Sequence, residues 1–381
     1  MKILMVSVFS NHFFNWVLQL KESGHEVHWF DLNDANTYVK RIDFVHQTVK
    51  WKRKFEYPGR YWIKNNISSL DTFIERFNHR KFLDVFQKKF HEIQPDVVQS
   101  FEMHSACVPI LGIMNNHPKI KWLYSAWGND LFYYQNEPDK LKGIKAVFGR
   151  IDYMFADCTR DYLIAEKHGF KGKYLGTFPT GGGYDLSSSD PLVRDFQNRK
   201  TILIKGYEHK FGRCNNVLEA LLEIEDDLKG FEIVVFAATK EVLEKVEDPR
   251  FKKMKNLVVK ENIARGELLE LMGKSLIYIG NNISDGMPNT LLEAIVMESF
   301  PIQSNPGGAS AEIIENGKNG FLIENPQDVK EIASLIKQAI QDPELLRSGI
   351  AYNTANVKPM LERNYVKDQV LKKYQQVEQN L

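Results

Sequence analysis

The chain has 381 residues, of which 43% are hydrophobic and 26% are charged, and its formal net charge is +1. This length predicts two domains, and the composition is typical of a globular protein, which excludes the disordered and fibrous classes. Because the net charge is close to zero, no general field attracts nucleic acid, and any anion must bind at a local site.

The cysteines and the apolar segments indicate the compartment. Cys107, Cys158 and Cys214 are far apart, which excludes a zinc-type motif and a disulfide framework and is typical of a reducing environment. The short apolar run at the N-terminus lacks the cleavage site of a signal peptide, and no stretch of ~18 apolar residues predicts a membrane span. We therefore expect a cytoplasmic protein without nucleic-acid partners.

Strands and helices alternate in the first part of the chain. Apolar spacing predicts a helix over residues 13–23, which Gly24 would end, and a long amphipathic helix over residues 69–93. Short apolar runs rich in β-branched and aromatic residues predict strands at residues 2–7, 26–30, 97–101, 121–126, 153–156 and 173–176.

A stretch rich in Gly, Ser and Pro, predicted as a loop or linker, covers residues 177–199, and the alternation then restarts. Strands are predicted at residues 201–205, 231–237, 257–259, 276–280 and 301–303, and helices at residues 215–227, 267–274, 289–297 and 327–341. The sequence thus predicts an α/β fold with two doubly wound, Rossmann-like domains facing a cleft. We place them at residues 1–180 and 181–361, with a C-terminal helix over residues 362–381 that packs back on the first.

The strongest candidate for a ligand site lies in the second predicted domain. A predicted strand is followed by a turn that contains Gly286 and Pro288, and a helix begins near Asn289. Free N–H groups at such a helix start can hold a phosphate. Asp285 and Glu293 flank this turn, so the two carboxylates could bind different parts of one ligand. The simpler alternative is a helix start with one capping acid and one buried Glu.

Residues 284–323 resemble the donor motif of the family-4 retaining glycosyltransferases, which have the GT-B architecture. The matching residues are Asp285, Glu293, Phe300, Pro301, Gly308, Glu312, Ile313, Ile314, Gly317, Asn319, Gly320, Phe321 and Leu322. The resemblance implies that Glu293 binds the ribose of a nucleotide. It also implies that Asp285, where the family usually has Glu, faces the donor sugar near its anomeric carbon. The remaining residues that we assign to the donor are Gly286, Met287, Pro288, Asn289, Thr290 and Leu291.

In this family an Arg and a Lys after the first strand of the second domain hold the diphosphate. The corresponding segment here contains Lys205, Lys210 and Arg213 in a different order and spacing. We favour Arg213, followed by Lys205, because both flank a glycine-bounded loop that leaves a strand. A cation is needed there, since departure of a nucleoside diphosphate builds negative charge. The alternative is that these residues are solvated surface cations.

The resemblance is weaker in the first domain. A His-bearing loop after a strand implies that His104 sits over the donor sugar, although a lone His is as often structural. Asp130 matches the acid of the family's H-G-x-D segment, in which Trp127 replaces the His, and it would contact the acceptor or order the cleft. Asn11 and His12 replace the paired glycines of many relatives, which suggests a different acceptor contact.

These features predict a retaining glycosyltransferase that moves a sugar from a nucleotide-diphosphate donor to a hydroxyl acceptor. The setting implied by analogy is surface polysaccharide or glycolipid synthesis. No D-x-D motif marks a metal site, and the cations can replace magnesium, so we expect no metal and no cofactor beyond the nucleotide-sugar co-substrate. A sugar-nucleotide epimerase would need paired acid/base groups, and a phosphorylase a pyridoxal-bearing Lys, and neither set is evident. A non-catalytic sugar-nucleotide-binding protein remains an alternative, because Asp replaces Glu at position 285.

A segment in the first domain combines positive charge with aromatic rings and suggests contact with a membrane surface. Cations attract anionic lipid headgroups, and Trp and Tyr favour the membrane interface, so the segment predicts peripheral docking on the inner face of the plasma membrane and a saccharide or lipid-linked acceptor. The alternative is a twisted hairpin with its aromatic residues packed inward. The segment's residues are Lys50, Lys52, Arg53, Lys54, Arg60, Lys64, Trp51, Phe55, Tyr57, Tyr61 and Trp62.

Overall fold

The computed structural model describes residues 1–381. Contacts between residues divide the chain into two compact units. Unit one contains Met1–Ala156, Tyr162–Gly176 and Val370–Leu381, and unit two contains Asp157–Asp161 and Thr177–Gln369. No helix in the chain combines the length and the hydrophobicity needed to cross a bilayer.

A seven-stranded parallel sheet in the order β3-β2-β1-β4-β5-β6-β7 forms the centre of unit one. Its strands are β1 Lys2–Ser7, β2 Glu26–Asp31, β3 His46–Thr48, β4 Val97–Phe101, β5 Lys121–Ser125, β6 Tyr153–Ala156 and β7 Lys173–Thr177. The inner strands are apolar along most of their length because helices cover both faces of the sheet. The strand order reverses between β1 and β4, which is where a doubly wound sheet opens a crevice at its carboxyl edge.

The helices that begin in the first 167 residues are α1 Asn11–Leu18, α2 Arg60–Asn66, α3 Ser68–Asn78, α4 Phe82–Ile93, α5 Leu111–Asn116, α6 Asn129–Phe132, α7 Pro138–Phe148 and α8 Thr159–Lys167. The C-terminal residues of the chain also belong to unit one. There the buried Tyr374 hydroxyl donates to Gln99 Oε1 at 2.6 Å and accepts from Trp16 Nε1 at 3.0 Å. These two bonds satisfy a phenol that would otherwise be costly to bury.

Unit two has a six-stranded parallel sheet in the order β10-β9-β8-β11-β12-β13. Its strands are β8 Thr201–Lys205, β9 Glu232–Phe236, β10 Leu257–Lys260, β11 Ser275–Gly280, β12 Phe300–Ser304 and β13 Phe321–Ile323. The remaining helices are α9 Leu186–Ser189, α10 Cys214–Glu223, α11 Lys240–Lys245, α12 Pro249–Lys253, α13 Arg265–Lys274, α14 Asn289–Val296, α15 Val329–Gln341, α16 Pro343–Tyr352 and α17 Arg363–Glu378. Here the strand order reverses between β8 and β11, so the predicted α/β fold with two doubly wound sheets is confirmed.

The long helix predicted over residues 69–93 is wrong, because the chain forms α3 and α4 with a break between them. The buried side chain of Asn78 ends α3. Its Oδ1 accepts from the backbone N–H groups of Lys54 and Phe55 at 3.1 and 3.0 Å, and its Nδ2 donates to the Phe55 carbonyl at 2.9 Å. His79 then has extended backbone angles. A periodicity argument cannot detect such a break, since it depends on residues more than twenty positions away.

Two other predictions in unit one need correction. The helix predicted over residues 13–23 instead spans Asn11–Leu18, because Ser10 caps it by accepting from the Phe13 N–H and turns replace its last part. The hairpin alternative for residues 50–64 is also wrong, since this stretch is irregular up to Gly59 and then forms α2. Most other predicted strands and helices lie within a few residues of the observed bounds.

Candidate functional site

The two loops that leave β8 and β11 meet at the carboxyl edge of the unit-two sheet. The N–H of Arg213 donates to the Asn281 carbonyl at 2.9 Å, and the N–H of Ile283 donates to the Phe211 carbonyl at 2.8 Å. The Asn281 side chain adds a bond to the Arg213 carbonyl at 3.0 Å. The loop that carries the predicted cations is therefore fixed directly to the loop that carries Asp285.

The first of these loops is tightly folded. A Cβ added at Gly212 would lie 2.2 Å from the Tyr207 carbonyl oxygen, so only glycine fits there. The Glu208 carboxylate accepts from the Asn215 N–H at 2.7 Å and thus caps the start of α10. The loop geometry between β8 and α10 is thereby fixed before any ligand binds.

The three predicted cations differ in their surroundings. The half-buried guanidinium of Arg213 donates to the His209 carbonyl at 3.0 Å, within its own loop. Lys205, at the end of β8, places its Nζ 4.6 Å from the centre of the Tyr207 ring. Lys210 is exposed and lies over the Phe211 ring. Arg213 and Lys205 are therefore partly buried, whereas Lys210 is exposed.

Asp285 is half buried in the loop that follows β11. Its Oδ2 accepts from Asn282 Nδ2 at 3.0 Å, and its Oδ1 accepts from the N–H of Gly286 at 3.0 Å. These two bonds hold the carboxylate against its own loop. Asn282 in turn pairs with Gly212 across the two loops, which connects the orientation of Asp285 to the Arg213 loop.

A close contact with Asp157 requires glycine at position 286, and the sequence did not predict this contact. A Cβ at this position would lie 2.2 Å from the nearer carboxylate oxygen of Asp157, which is itself buried. Asp157 follows β6, and a polar residue at the carboxyl end of a buried strand was the available signal. The loop after β11 therefore approaches the Asp157 carboxylate as closely as a glycine allows.

The N-terminus of α14 is held from outside the helix. Asn289 Nδ2 donates to Thr180 Oγ1 at 2.9 Å, and the Tyr184 hydroxyl donates to the Asn289 carbonyl at 3.2 Å. The Tyr278 hydroxyl donates to Thr290 Oγ1 at 2.8 Å. Residues of the predicted linker thus position the start of this helix.

The other residues predicted to bind the sugar nucleotide would offer mainly backbone groups, rather than side chains, to a ligand. The side chains of Met287 and Leu291 are buried in the core, and Pro288 stands at the N-cap without a side-chain hydrogen bond to the helix. Only the main chain of these residues is therefore suited to meet a phosphate, through the dipole and the N–H groups of the helix start.

Glu293 is buried one turn into α14, and a second missed residue contacts it. Arg265 Nη1 lies 2.7 Å from Glu293 Oε1, although 65% of the Arg265 side chain is exposed. Arg265 is the first residue of α13. A cation at a helix N-terminus interacts unfavourably with the helix dipole, and this unfavourable position was the feature of the sequence that indicated another role for Arg265. The carboxylate is therefore paired with a side chain that is free to move into solvent.

Both carboxylates act on one buried phenol. Burial raises the pKa of Tyr278, and the negative charges of Asp285 and Glu293 raise it further. Burial likewise raises the pKa of Tyr184, and the charge of Glu293 adds to this effect. Both phenols therefore stay protonated at neutral pH and act as hydrogen-bond donors.

The tail of the motif has a structural role here. The Glu312 carboxylate accepts from the backbone N–H groups of Thr159 and Arg160 at 2.7 and 2.9 Å, which caps the start of α8. Arg160 Nη1 donates to the Pro306 carbonyl at 2.6 Å and holds the loop after β12. The buried Asn319 bonds to the backbone of its own turn.

A cavity of about 990 Å³ in unit two lies near this region. Its lining includes Met287, Leu292, Tyr352 and Val357 but neither Asp285 nor Glu293. The cavity is therefore separate from the two carboxylates.

In unit one, Asp130 organises the loops at the carboxyl edge of the sheet. Its buried carboxylate accepts from the Met103 N–H at 2.9 Å, from the Tyr124 hydroxyl at 2.6 Å and from the Trp127 N–H at 3.2 Å. Of the two roles that the sequence allowed, this arrangement favours ordering the loops.

His104 lies beside Asp130. Its Nε2 is 3.0 Å from the Asp130 carbonyl oxygen, and its ring packs against Tyr134. Burial lowers the pKa of His104, so the ring is neutral at pH 7. Because a carbonyl only accepts, the Nε2 carries the proton, and Nδ1 is left as an acceptor.

Asn11 and His12 are exposed in the first turn of α1, which follows β1. Asn11 Oδ1 accepts from Arg41 at 2.9 Å, and the His12 ring lies 6.4 Å from the Trp127 ring. His12, Trp127 and Asp130 therefore lie near one another in unit one, as their positions after β1 and β5 predict.

Comparison with known proteins finds a family model that matches part of the chain. Residues 214–356, which include Asp285 and Glu293, match the family described as Glycosyl transferases group 1. A comparison with curated protein sequences finds no significant match.

Solved structures share the fold across almost the whole chain. Sucrose-phosphate synthase from Thermosynechococcus elongatus is 14% identical, with a TM-score of 0.74 and full coverage of both chains. A glycosyltransferase from Rickettsia africae is 16% identical, with a TM-score of 0.65 and coverage of 100% of this chain and 99% of the other. HepE from Anabaena, solved with UDP and glucose, is 12% identical, with a TM-score of 0.68 and coverage of 99% and 100%. The fold is thus that of GT-B glycosyltransferases, and the matched segment and the fold together support a glycosyltransferase.

Proposed function

We propose that this protein is a retaining glycosyltransferase that moves a sugar from a nucleoside-diphosphate donor to a hydroxyl acceptor. The observation that carries the proposal is the direct bonding of the Arg213 loop to the Asp285 loop where the unit-two strand order reverses. Ligands of doubly wound sheets bind at this position. Retention is inferred from the similarity of residues 284–323 to the family-4 enzymes.

The donor assignment follows from the chemistry of these groups. A ribose presents hydroxyl donors, and the buried Glu293 carboxylate accepts such bonds with greater strength than a neutral group does. The diphosphate would meet the start of α14 and the cations Arg213 and Lys205. As the bond from the anomeric carbon to the diphosphate breaks, the electron pair stays on the phosphate oxygen, and these cations stabilise the added charge.

The solved relatives suggest which donor to test first. HepE has been solved with UDP-glucose, and the pneumococcal O-GlcNAc transferase GtfA with UDP and GlcNAc. We therefore propose a UDP-sugar donor. The cations can neutralise a diphosphate without a metal, so we expect UDP release to persist in EDTA.

We propose that unit one recognises the acceptor. The contacts that we assign to the acceptor are Asn11 and His12, which are exposed at the carboxyl edge of the unit-one sheet, and Asp130, which fixes the loops there. His104 keeps the role over the donor sugar that the resemblance implies, and its neutral ring offers Nδ1 as an acceptor for a sugar hydroxyl. A saccharide or a lipid-linked saccharide suits these polar groups, in surface polysaccharide or glycolipid synthesis.

A lipid-linked acceptor is favoured by the surface of α2 and α3. Tyr61 and Trp62 are 70% and 61% exposed, and Phe73 and Phe77 on α3 are 62% and 59% exposed. The cations of residues 50–64 flank them in sequence. We propose that this surface docks on the anionic inner face of the plasma membrane, since exposed aromatic rings and cations both favour such an interface.

Binding to anionic vesicles tests this docking. It should fall steeply as salt rises, because exposed charges are screened beyond ~10 Å at 0.1 M ionic strength. Replacing Lys50, Lys52, Arg53 and Lys54 with Gln should abolish it while sparing hydrolysis of the soluble donor. If the wild-type protein ignores anionic vesicles at low salt, a soluble acceptor is correct instead.

Release of UDP from a panel of UDP-sugars tests the catalytic proposal. Asp285→Asn should reduce release strongly, whereas the matched exposed variant Asp226→Asn should not. NMR of the first-formed product should show the anomeric configuration of the donor sugar. Nucleotide binding without turnover would favour the non-catalytic alternative, inversion would reject the retaining mechanism, and an altered sugar still attached to UDP would indicate an epimerase.

A further inference from the structure

A group of two imidazoles and a carboxylate lies at the outer edge of the unit-one sheet. Glu26 and His28 are two positions apart on β2, so their side chains share one face of the sheet. His46, the first residue of the edge strand β3, is the register partner of His28. Strand pairing alone therefore places the three side chains together.

The side chains are close enough to share one ion. The rings of His28 and His46 are stacked with their centroids 4.6 Å apart and their planes at 24°. His28 Nε2 lies 2.7 Å from Glu26 Oε1, and one ligand atom from each residue lies within 4.8 Å of the others. Ligands of a tetrahedral zinc ion stand about 3.3 Å apart, given metal–ligand bonds of about 2.0–2.1 Å. Rotation of these partly exposed side chains can supply the difference.

A lysine lies beside the carboxylate of this group. Lys2 Nζ lies 3.9 Å from Glu26 Oε1. Because both are positively charged, a metal ion bound to Glu26 would repel this ammonium group, and the partly exposed lysine side chain would move away.

We propose that Glu26, His28 and His46 bind a transition-metal ion such as Zn²⁺. Imidazole with one carboxylate suits zinc and its neighbours rather than magnesium. Glu26 and His46 begin their strands, so the site lies at the amino edge of the sheet, whereas His104 and Asp130 follow the carboxyl ends of β4 and β5. The ion therefore has a structural role, in which it fastens the three-residue strand β3 to β2.

Calorimetry with ZnCl₂ on the tag-free protein of 381 residues tests the site. The wild type should bind one ion, and His46→Gln should bind it at least tenfold more weakly. The matched control is His91→Gln, because the His91 ring lies 5.5 Å from the His117 ring without a third ligand residue. This control should bind zinc like the wild type, and MgCl₂ should not compete.

A second site variant shows whether weaker zinc binding by His46→Gln could come from a folding defect alone. Glu26→Gln should also weaken zinc binding while its thermal unfolding in EDTA matches that of the wild type. Zinc should raise the unfolding temperature of the wild type but not of either site variant. The proposal is overturned if the wild type binds no zinc, or if both site variants bind it as tightly as the wild type does.

Discussion

The edges where the strand order reverses differ between the two units. In unit two, the loop after β8, which carries Arg213, bonds directly to the loop after β11, which carries Asp285. In unit one, the buried Asp130 joins the loops that follow β4 and β5, while Asn11 and His12 stay exposed. The loops at the unit-two edge are held by hydrogen bonds to each other, whereas the unit-one edge presents exposed polar side chains.

The difference follows from the ligands that we assign to the two edges. Every ribonucleoside diphosphate presents the same ribose and the same two phosphates, so a rigid arrangement of charges serves any such donor. Acceptors vary in shape, and a surface of exposed polar side chains can be adapted to them without changing the fold. Substitutions in the two units should therefore have separable effects.

The largest effect is expected at the Arg213 loop. Arg213→Ala should lower kcat by about 10²–10³, because the charge that it neutralises is greatest in the transition state. The affinity for the sugar nucleotide should fall less, and Arg213→Lys should recover part of the loss. Steady-state kinetics with Lys205→Ala and Lys210→Ala alongside would identify a different cation if Arg213→Ala left transfer intact.

A substitution in unit one should separate folding from donor binding. Asp130→Asn exchanges one of the oxygens that accept from Met103, Tyr124 and Trp127 for an NH₂ group, which cannot accept. We expect a loss of about 1–3 kcal/mol in the free energy of unfolding. The dissociation constant of UDP should not change. A tenfold weaker UDP affinity in a folded variant would mean that the two edges are not separable.

The smallest effect is expected at Arg265. Because this side chain is mostly exposed, its pair with Glu293 contributes little, within the ~0–1 kcal/mol typical of exposed pairs. Arg265→Ala should tighten UDP binding by up to about fivefold, since the ribose no longer competes for the carboxylate. Calorimetry would contradict this reading if the variant bound UDP much more weakly, which would make Arg265 a direct nucleotide contact.

The sequence predicted the fold well because both sheets are built from short apolar strands separated by helices. It also predicted that Asp285, Glu293, Lys205 and Arg213 belong to one edge, since loops after parallel strands meet there. It missed Asp157 and Arg265, whose contacts depend on segments distant in sequence. The break after α3 was missed for the same reason, because the bonds of Asn78 join positions far apart in the chain.

The central claim is that the edge of unit two binds the nucleotide through Glu293. Calorimetric titration of UDP into Glu293→Gln tests it, with Glu270→Gln as the matched exposed control from α13. The account predicts that Glu293→Gln loses about 1.5–3 kcal/mol of binding free energy, because a charged acceptor becomes a neutral amide. The control should bind like the wild type. Equal UDP affinity in Glu293→Gln and the wild type would contradict the account.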